Sequence, residues 1–326
     1  LPMLAGETLS FYNDDKELQP QLQTLKLKAD GKLQLTLQPQ GGAVLVQDWK
    51  TNEKEMGAYL FTYFKDDTHS LYFAVSDDGY TFTDVNNGQP IIAGDTIAEQ
   101  KGIRDPHIYR APDGTFYIAM TDLHIFAQQK GLRNTEWERD GAKYGWGNNR
   151  GFVLMKSKDL VNWNIIGAAV PYALPPIETP ERPEHGNRVW APAIRHHDGE
   201  FYIFWGDPDQ GAFMVKARDP KGPWSEPVLV KAGKGIIDTC PLWDEDGKVY
   251  LVHAYAGSRA GLKSVIAICE LNADATKAIS QSRIVFDGHE AHETCEGPKF
   301  YKRGDYYYIF HPAGGVPTGW QVVLRS

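Results

Sequence analysis

Long apolar runs are missing from this 326-residue chain. None approaches the about 18 residues that a membrane-spanning helix needs, so no membrane anchor is expected. A basic excess is missing too. Lys and Arg number 34 against 42 Asp and Glu, for a formal net charge of −8, which offers no positive surface to nucleic acid or to an anionic membrane. Cysteine is scarce: Cys240, Cys269 and Cys295 are odd in number and show no Cys-x-x-Cys spacing, so neither a disulfide framework nor a zinc site is expected. No Gly-x-x-x-x-Gly-Lys loop is present to cradle a nucleotide. The run HEAHE at residues 289–293 brings its second His one residue too early for the His-Glu-x-x-His zinc spacing. The opening LPMLAGETLS has neither an initiator Met nor a charged segment followed by an apolar one, so no signal peptide is visible and a processed chain is expected.

Aromatic residues, glycine and proline are plentiful: 16 Tyr, 14 Phe, 9 Trp, 32 Gly and 20 Pro. That mixture suits a loop-rich all-β protein, and convincing 3.6-residue periodicity is absent from every long segment. One short pattern recurs as DGTFYIAM from Asp113, DGEFYIFW from Asp198, DGKVYLVH from Asp246 and GDYYYIFH from Gly304. Each copy is a tight turn followed by alternating aromatic and β-branched residues, the signature of a hairpin entering a strand. Ahead of each copy lies a proline-led element (DPHIYRAP, APAIRHH, CPLWDE, GPKFYKR), and behind each a third apolar element. The third element also appears earlier as SLYFAVSDDGYTF, preceded by AYLFTYF. Five such units at roughly 50–80-residue spacing predict a five-bladed β-propeller over residues 51–326. Residues 1–50 read as an added β segment, with LKLKADGKLQLTLQPQGGAVLVQ alternating polar and apolar across a turn as a hairpin or sandwich remnant.

In a propeller the innermost strands run the same way beside the axis, so their leading ends gather at one mouth. Asp105 stands one residue before its proline, Glu296 two, Asp238 three and Trp190 two. Three carboxyls and one indole therefore converge from four blades. Like charges that close together raise one another's pKa, and glycosidic hydrolysis is the chemistry that uses such an arrangement: one carboxyl to protonate the leaving oxygen and another to activate water or attack the sugar.

With GIRDPHIYR, RVWAPAIR, GIIDTCPLWDEDGKVYLVHA and CEGPKFYKRGDYYYIFHPAGG in this order, the chain from about residue 57 onward resembles glycoside hydrolase family 43, the five-bladed arabinofuranosidase and xylosidase group. The resemblance implies Asp105 as general base, Glu296 as general acid and Asp238 as the residue that orients the acid and raises its pKa. It also implies Trp190 lining the sugar subsite, and His253 and Arg259 at the pocket wall. It implies an inverting, exo-acting enzyme on β-xylosides or α-L-arabinofuranosides, with an oligo- or polysaccharide partner. No cofactor is required, although a structural calcium ion is compatible, and secretion or a periplasmic location is favoured over the cytoplasm. Oligomeric state has no signature. Two other readings stay open: a fructan or sucrose hydrolase, which shares Arg-Asp-Pro and Cys-Glu but carries an Asn-Asp-Pro nucleophile that this chain lacks, and a carbohydrate-binding or catalytically degenerate propeller. The stretches YGWGNNRG and YALPPIETPERPEHGN, between Asp122 and Arg188, are expected to build a rim over the site.

Overall fold

Asx-type turns punctuate the chain as the sequence requires. In a computed structural model that describes residues 8–30, 32–39, 43–47, 57–123, 131, 149, 151–167 and 189–326, Asp113 Oδ1 accepts the Thr115 N–H at 2.9 Å. Asp198 and Gly199 both take positive φ, 46° and 76°, as a two-residue primed hairpin turn demands. The chain divides into two compact units, Leu1–Tyr59 with Asp77–Gly79, and Leu60–Ser76 with Tyr80–Ser326.

In the first unit β1 (Thr8–Asp14), β2 (Pro20–Lys26) and β3 (Ala43–Gln47) form an antiparallel sheet in the order β2-β1-β3. This differs from the hairpin expected within residues 25–47. Strand β2 ends at Lys26, and the described residues 32–39 form no strand. The hairpin lies one step earlier, where Asp15 Oδ1 accepts the Glu17 and Gln19 N–H groups at 2.8 and 3.0 Å. Strand β1 then takes the centre of the sheet, burying Leu9 and Phe11.

Among the described residues the second unit is all-β apart from short helical turns. Its first sheet is β4 (Tyr59–Tyr63), β5 (Tyr72–Ser76) and β6 (Thr83–Asp84), the second β7 (Ile103–Arg110), β8 (Phe116–Asp122), β9 (Phe152–Ser157) and β10 (Asn164–Gly167). The third is β11 (Trp190–His197), β12 (Glu200–Asp207), β13 (Gly211–Ala217) and β14 (Val228–Ala232), and the fourth β15 (Ile236–Trp243), β16 (Val249–Tyr255), β17 (Val265–Leu271) and β18 (Arg283–Asp287). The last is β19 (Lys299–Arg303), β20 (Tyr306–Ala313) and β21 (Trp320–Arg325). Each sheet keeps its strands in chain order, and neighbours in the second to the last sheets pair antiparallel, the simplest result of short turns joining alternating strands. Two four-residue helices, α1 (Gly94–Ile97) and α2 (Gly257–Ala260), are the only α-helices among the described residues.

Successive sheets pack face to face. Leu71, Phe73, Ile118 and Met120 join the first to the second, and Tyr117, Phe152, Phe201 and Trp205 the second to the third. Phe204, Met214, Leu251 and Cys269 join the third to the fourth, and Val252, Ile266, Phe300 and Ile309 the fourth to the last. Each fully buried side chain of this size contributes about 1.5–3 kcal/mol. All three cysteines are free and buried. The rim sequences lie outside the described residues except for Asn149 and Gly151.

The leading strands share one local device. On β7 the register steps from Arg104↔Thr121 to His107↔Ala119, on β11 from Trp190↔Gly206 to Ala193↔Phe204, and on β15 from Ile237↔Ala254 to Cys240↔Val252. Each step inserts one extra residue, a β-bulge, which re-aims side chains at a strand end. The residue after each step's first pair has positive φ: Asp105 at 52°, Ala191 at 43° and Asp238 at 57°, with Gly297 at 63° ahead of β19. Prolines are therefore an inexact guide to equivalence. Pro106, Pro192 and Pro298 follow the positive-φ residue directly, whereas Pro241 sits deeper in its ladder opposite Leu251. By register Asp238 matches Asp105, while Glu296 matches Arg104 and Trp190, one residue earlier.

Candidate active site

Asp and Asn tolerate the left-handed backbone better than other side-chain-bearing residues, so two of the bulges are occupied by aspartates at little strain. Asp105 is one-third exposed (33%). Its Oδ2 accepts a hydrogen bond from Thr121 Oγ1 at 3.3 Å, and the same hydroxyl accepts the Ala191 N–H at 3.1 Å. Thr121 thus ties the aspartate on β7 to the bulge on β11. Nothing in the primary structure marks this threonine, which reaches the site only because β8 returns antiparallel beside β7.

Asp238 is 7% exposed, and its Oδ2 accepts the Gly297 N–H at 2.7 Å. That bond fixes the bulge next to Glu296 from the neighbouring sheet. Glycine suits position 297: φ is 63°, and a Cβ there would press on Pro312 Cδ at 3.2 Å. The Glu296 N–H in turn donates to the Pro312 carbonyl at 3.3 Å. Trp190 is partly buried against the Ile237 and Val252 cluster, and its indole nitrogen is buried without a hydrogen-bond partner among the described residues.

The three carboxyls feel one another's charge. Burial, then Asp238 and Asp105, push Glu296 up to about 8, against the opposing charges of Arg104 and Lys263. Burial and then the Asp105 charge push Asp238 up to about 6, while Lys299, the Gly297 N–H and Arg104 pull it down. Burial also raises Asp105, opposed by Arg104, Lys299 and the Thr121 hydroxyl. Near neutrality Glu296 therefore keeps its proton beside an ionised Asp238, and a protonated acid beside a carboxylate is the division of labour that acid–base catalysis requires.

His253 and Arg259 are placed otherwise. His253 is fully buried in β16, with Nε2 2.7 Å from Ser282 Oγ and its ring edge-on to Tyr255, and burial lowers its pKa to about 4. Arg259, in α2, pairs with Asp209 at 3.2 Å. Among the described residues neither makes a hydrogen bond or ion pair with the three acids.

On the leading strands below the acids, Arg195 meets His107 and Cys240, and the Lys299 charge also acts on His107. Calcium takes about six to eight oxygen ligands. A guanidinium and an ammonium beside an imidazole and a thiol supply none and repel a dication, so these residues do not fit that ion.

Residues 88–326 match the model of Glycosyl hydrolases family 43. A putative beta-xylosidase of Xylanibacter ruminicola is 36% identical over 176 residues, covering 54% of this chain and 32% of that protein. The non-reducing end alpha-L-arabinofuranosidase BoGH43B of Bacteroides ovatus is 33% identical over 192 residues, with the same two coverages, 54% and 32%. The solved structure of the Bacteroides ovatus xyloglucan PUL GH43B superposes with a TM-score of 0.51 at 28% identity, over 73% of this chain and 40% of that one. The chain spans about a third of the length of these curated relatives.

Proposed function

The chain belongs to glycoside hydrolase family 43, and from that premise we propose that it cleaves terminal β-xylosides or α-L-arabinofuranosides with inversion, Asp105 acting as base, Glu296 as acid and Asp238 as the group that holds the acid's proton. The observation that carries this reading is the contrast between two carboxyls: burial and two neighbouring aspartates push Glu296 up to about 8, above Asp238 at about 6, while the Asp105 carboxyl faces Arg104 and a threonine hydroxyl. In the proposed step Asp105 takes a proton from a water that attacks the anomeric carbon as Glu296 protonates the departing oxygen. Asp238 binds the Gly297 N–H and its charge keeps Glu296 protonated. The relatives' names, a beta-xylosidase and an alpha-L-arabinofuranosidase, support the pentoside class.

Hydrolysis of 4-nitrophenyl β-xylopyranoside and α-L-arabinofuranoside, with the first-formed anomer read by NMR, tests the proposal. A product that retains the substrate's configuration would exclude the inverting roles. In the free enzyme kcat/KM is expected to fall above about pH 8 as Glu296 loses its proton, and below a limb lying above the ordinary aspartate range as Asp105 gains one.

The proposal includes closure of the five sheets of residues 51–326 into a propeller, with the first fifty residues as an accessory β segment. Closure is supported by the two end sheets, each of which leaves an aromatic face half exposed: Phe61 on β4, and Tyr301, Tyr306 and Phe310 on β19 and β20. Packing those faces together gives the last sheet the neighbour that every other junction already has. Phe310→Asp is then expected to lower stability by about 2–4 kcal/mol, measured by urea unfolding. A loss within about 0.5 kcal/mol, the ordinary surface value, would count against closure.

A further inference from the structure

The sheet β4-β5-β6 delivers no acid, yet it reaches the site through one arginine. Arg104 precedes the Asp105 bulge and pairs with Thr121, the register that Trp190 holds on β11 and Glu296 holds ahead of β19. Its side chain is 20% exposed and is gripped from the β4–β5 loop: the guanidinium lies 4.8 Å over the Phe64 ring, and Nη2 is 3.8 Å from Asp66 Oδ1. On its other side Nε is 3.7 Å from Asp105 Oδ1. The guanidinium therefore sits between the Asp66 and Asp105 carboxylates, at 3.8 and 3.7 Å.

The grip is itself fixed. The His69 and Thr68 N–H groups donate to the Lys65 carbonyl at 2.8 and 3.4 Å, the His69 carbonyl accepts the Ile103 N–H at 2.8 Å, and Ser70 Oγ accepts the Gly94 N–H at 3.0 Å. Gly94 lies so close that a Cβ there would come within 2.0 Å of the His69 carbonyl oxygen. The loop cannot slide without breaking these bonds, so Phe64 and Asp66 form a rigid bracket.

We propose that Arg104 is a positioning residue of this active site, held by Phe64 and Asp66 so that it fixes the Asp105 carboxylate and supplies the positive charge against which the three carboxyls divide their protons. The assignment rests on the reading of Asp105 as base and Glu296 as acid. The groups facing Arg104 among the described residues include Asp66 and His69 from the β4–β5 loop, Asp105 beside it, Asp238 from β15 and Glu296 ahead of β19. Asp105 and Asp238 are faced in addition by Lys299 from β19, and Glu296 by Lys263 from the β16–β17 connection. Arg104 is a leading opposing charge at all three acids, Lys299 at Asp105 and Asp238, and Lys263 at Glu296. It opposes the upward push on each.

The test is the pH dependence of kcat/KM on a 4-nitrophenyl pentoside for the full chain carrying Arg104→Met, Arg104→Lys or Asp66→Asn. Loss of the positive charge is expected to move both limbs upward by about one pH unit and to lower kcat/KM at pH 6 by roughly 10- to 100-fold. Arg104→Lys keeps a charge and is expected to return the limbs towards their original positions. Asp66→Asn removes a negative charge that raises Asp105, so it should move the acid limb downward, and it reads the same coupling should Arg104→Met fail to fold. Unmoved limbs in Arg104→Met and Asp66→Asn, with activity falling only in step with the melting temperature, would reduce Arg104 to a structural clamp and overturn the proposal. Asp105→Asn separates this failure from a deeper one: if it is inactive while the Arg104→Met limbs stay put, only the present inference falls, whereas an active Asp105→Asn overturns the base assignment and this inference with it.

Discussion

Glu296→Gln is expected to lower kcat/KM on an alkyl pentoside by about 10²- to 10⁴-fold, the range that a positioned general acid supplies. The loss should shrink sharply on 4-nitrophenyl glycosides, because a departing phenolate needs little help from a proton donor. Asp105→Asn should lose a comparable amount on both substrates, since water must be activated whichever group departs. Asp238→Asn is expected to lose less and to draw the alkaline limb downward, because the Asp238 charge is one of the causes that raise Glu296. Steady-state kinetics with the two leaving groups checks all three. Equal losses for Glu296→Gln on alkyl and nitrophenyl substrates would remove Glu296 from the acid role.

The same glutamine substitution carries a stability signature of known sign. A carboxyl raised in the folded chain keeps its proton there after the unfolded chain has lost its own, so folding stability falls as pH rises from about 4.5 towards about 8. Glutamine has no proton to lose. Glu296→Gln should therefore match the parent near pH 4 and exceed it by about 1–3 kcal/mol at pH 9, read from urea unfolding at the two pH values.

The second large effect belongs to Arg195. It is 8% exposed and begins on β11, yet it touches all three other leading strands around the acids. Its Nη1 lies 2.6 Å from His107 Nε2 on β7 and 3.2 Å from the Ile194 carbonyl; its Nη2 lies 3.0 Å from Cys240 Sγ on β15 and 3.3 Å from the Phe300 carbonyl on β19. The guanidinium also stands 4.9 Å over the Tyr301 ring. Truncation at this position leaves an unfilled volume and strips buried polar groups of a partner, and each of those costs free energy. Arg195→Ala is expected to lose about 3–4 kcal/mol, or about 6–16 °C in melting temperature. Lysine keeps the charge but offers one point rather than a planar fork, so Arg195→Lys should recover only part. Melting of Arg195→Ala within about 2 °C of the parent would show that the strands do not depend on this cross-brace.

The repeat and the candidate acids were legible because each depends on local chemistry. Asp-Gly turns and alternating aromatic runs marked β8, β12, β16 and β20, and the acids stood out because carboxyls beside strand-starting prolines recurred. The proline offsets misled about equivalence, since a bulge adds a residue without a signature of its own: Asp238, three residues before Pro241, matches Asp105, one residue before Pro106. Thr121, Gly297 and Arg104 also went unmarked as partners of the acids. Their roles depend on which strand returns beside which, and a threonine or arginine in a strand carries no sign of that.

The amino-acid sequence by itself determined the all-β class and the order of the strands, because period-two alternation and turn chemistry act over a few residues, and it offered three acids as candidates. Only the tertiary structure decided that Asp238 holds the backbone next to Glu296, that Thr121 and Arg104 flank Asp105, and that Arg195 bridges four strands. Those relations join residues up to 105 positions apart. Their energies depend on burial and on charge separation, and neither exists until the sheets pack.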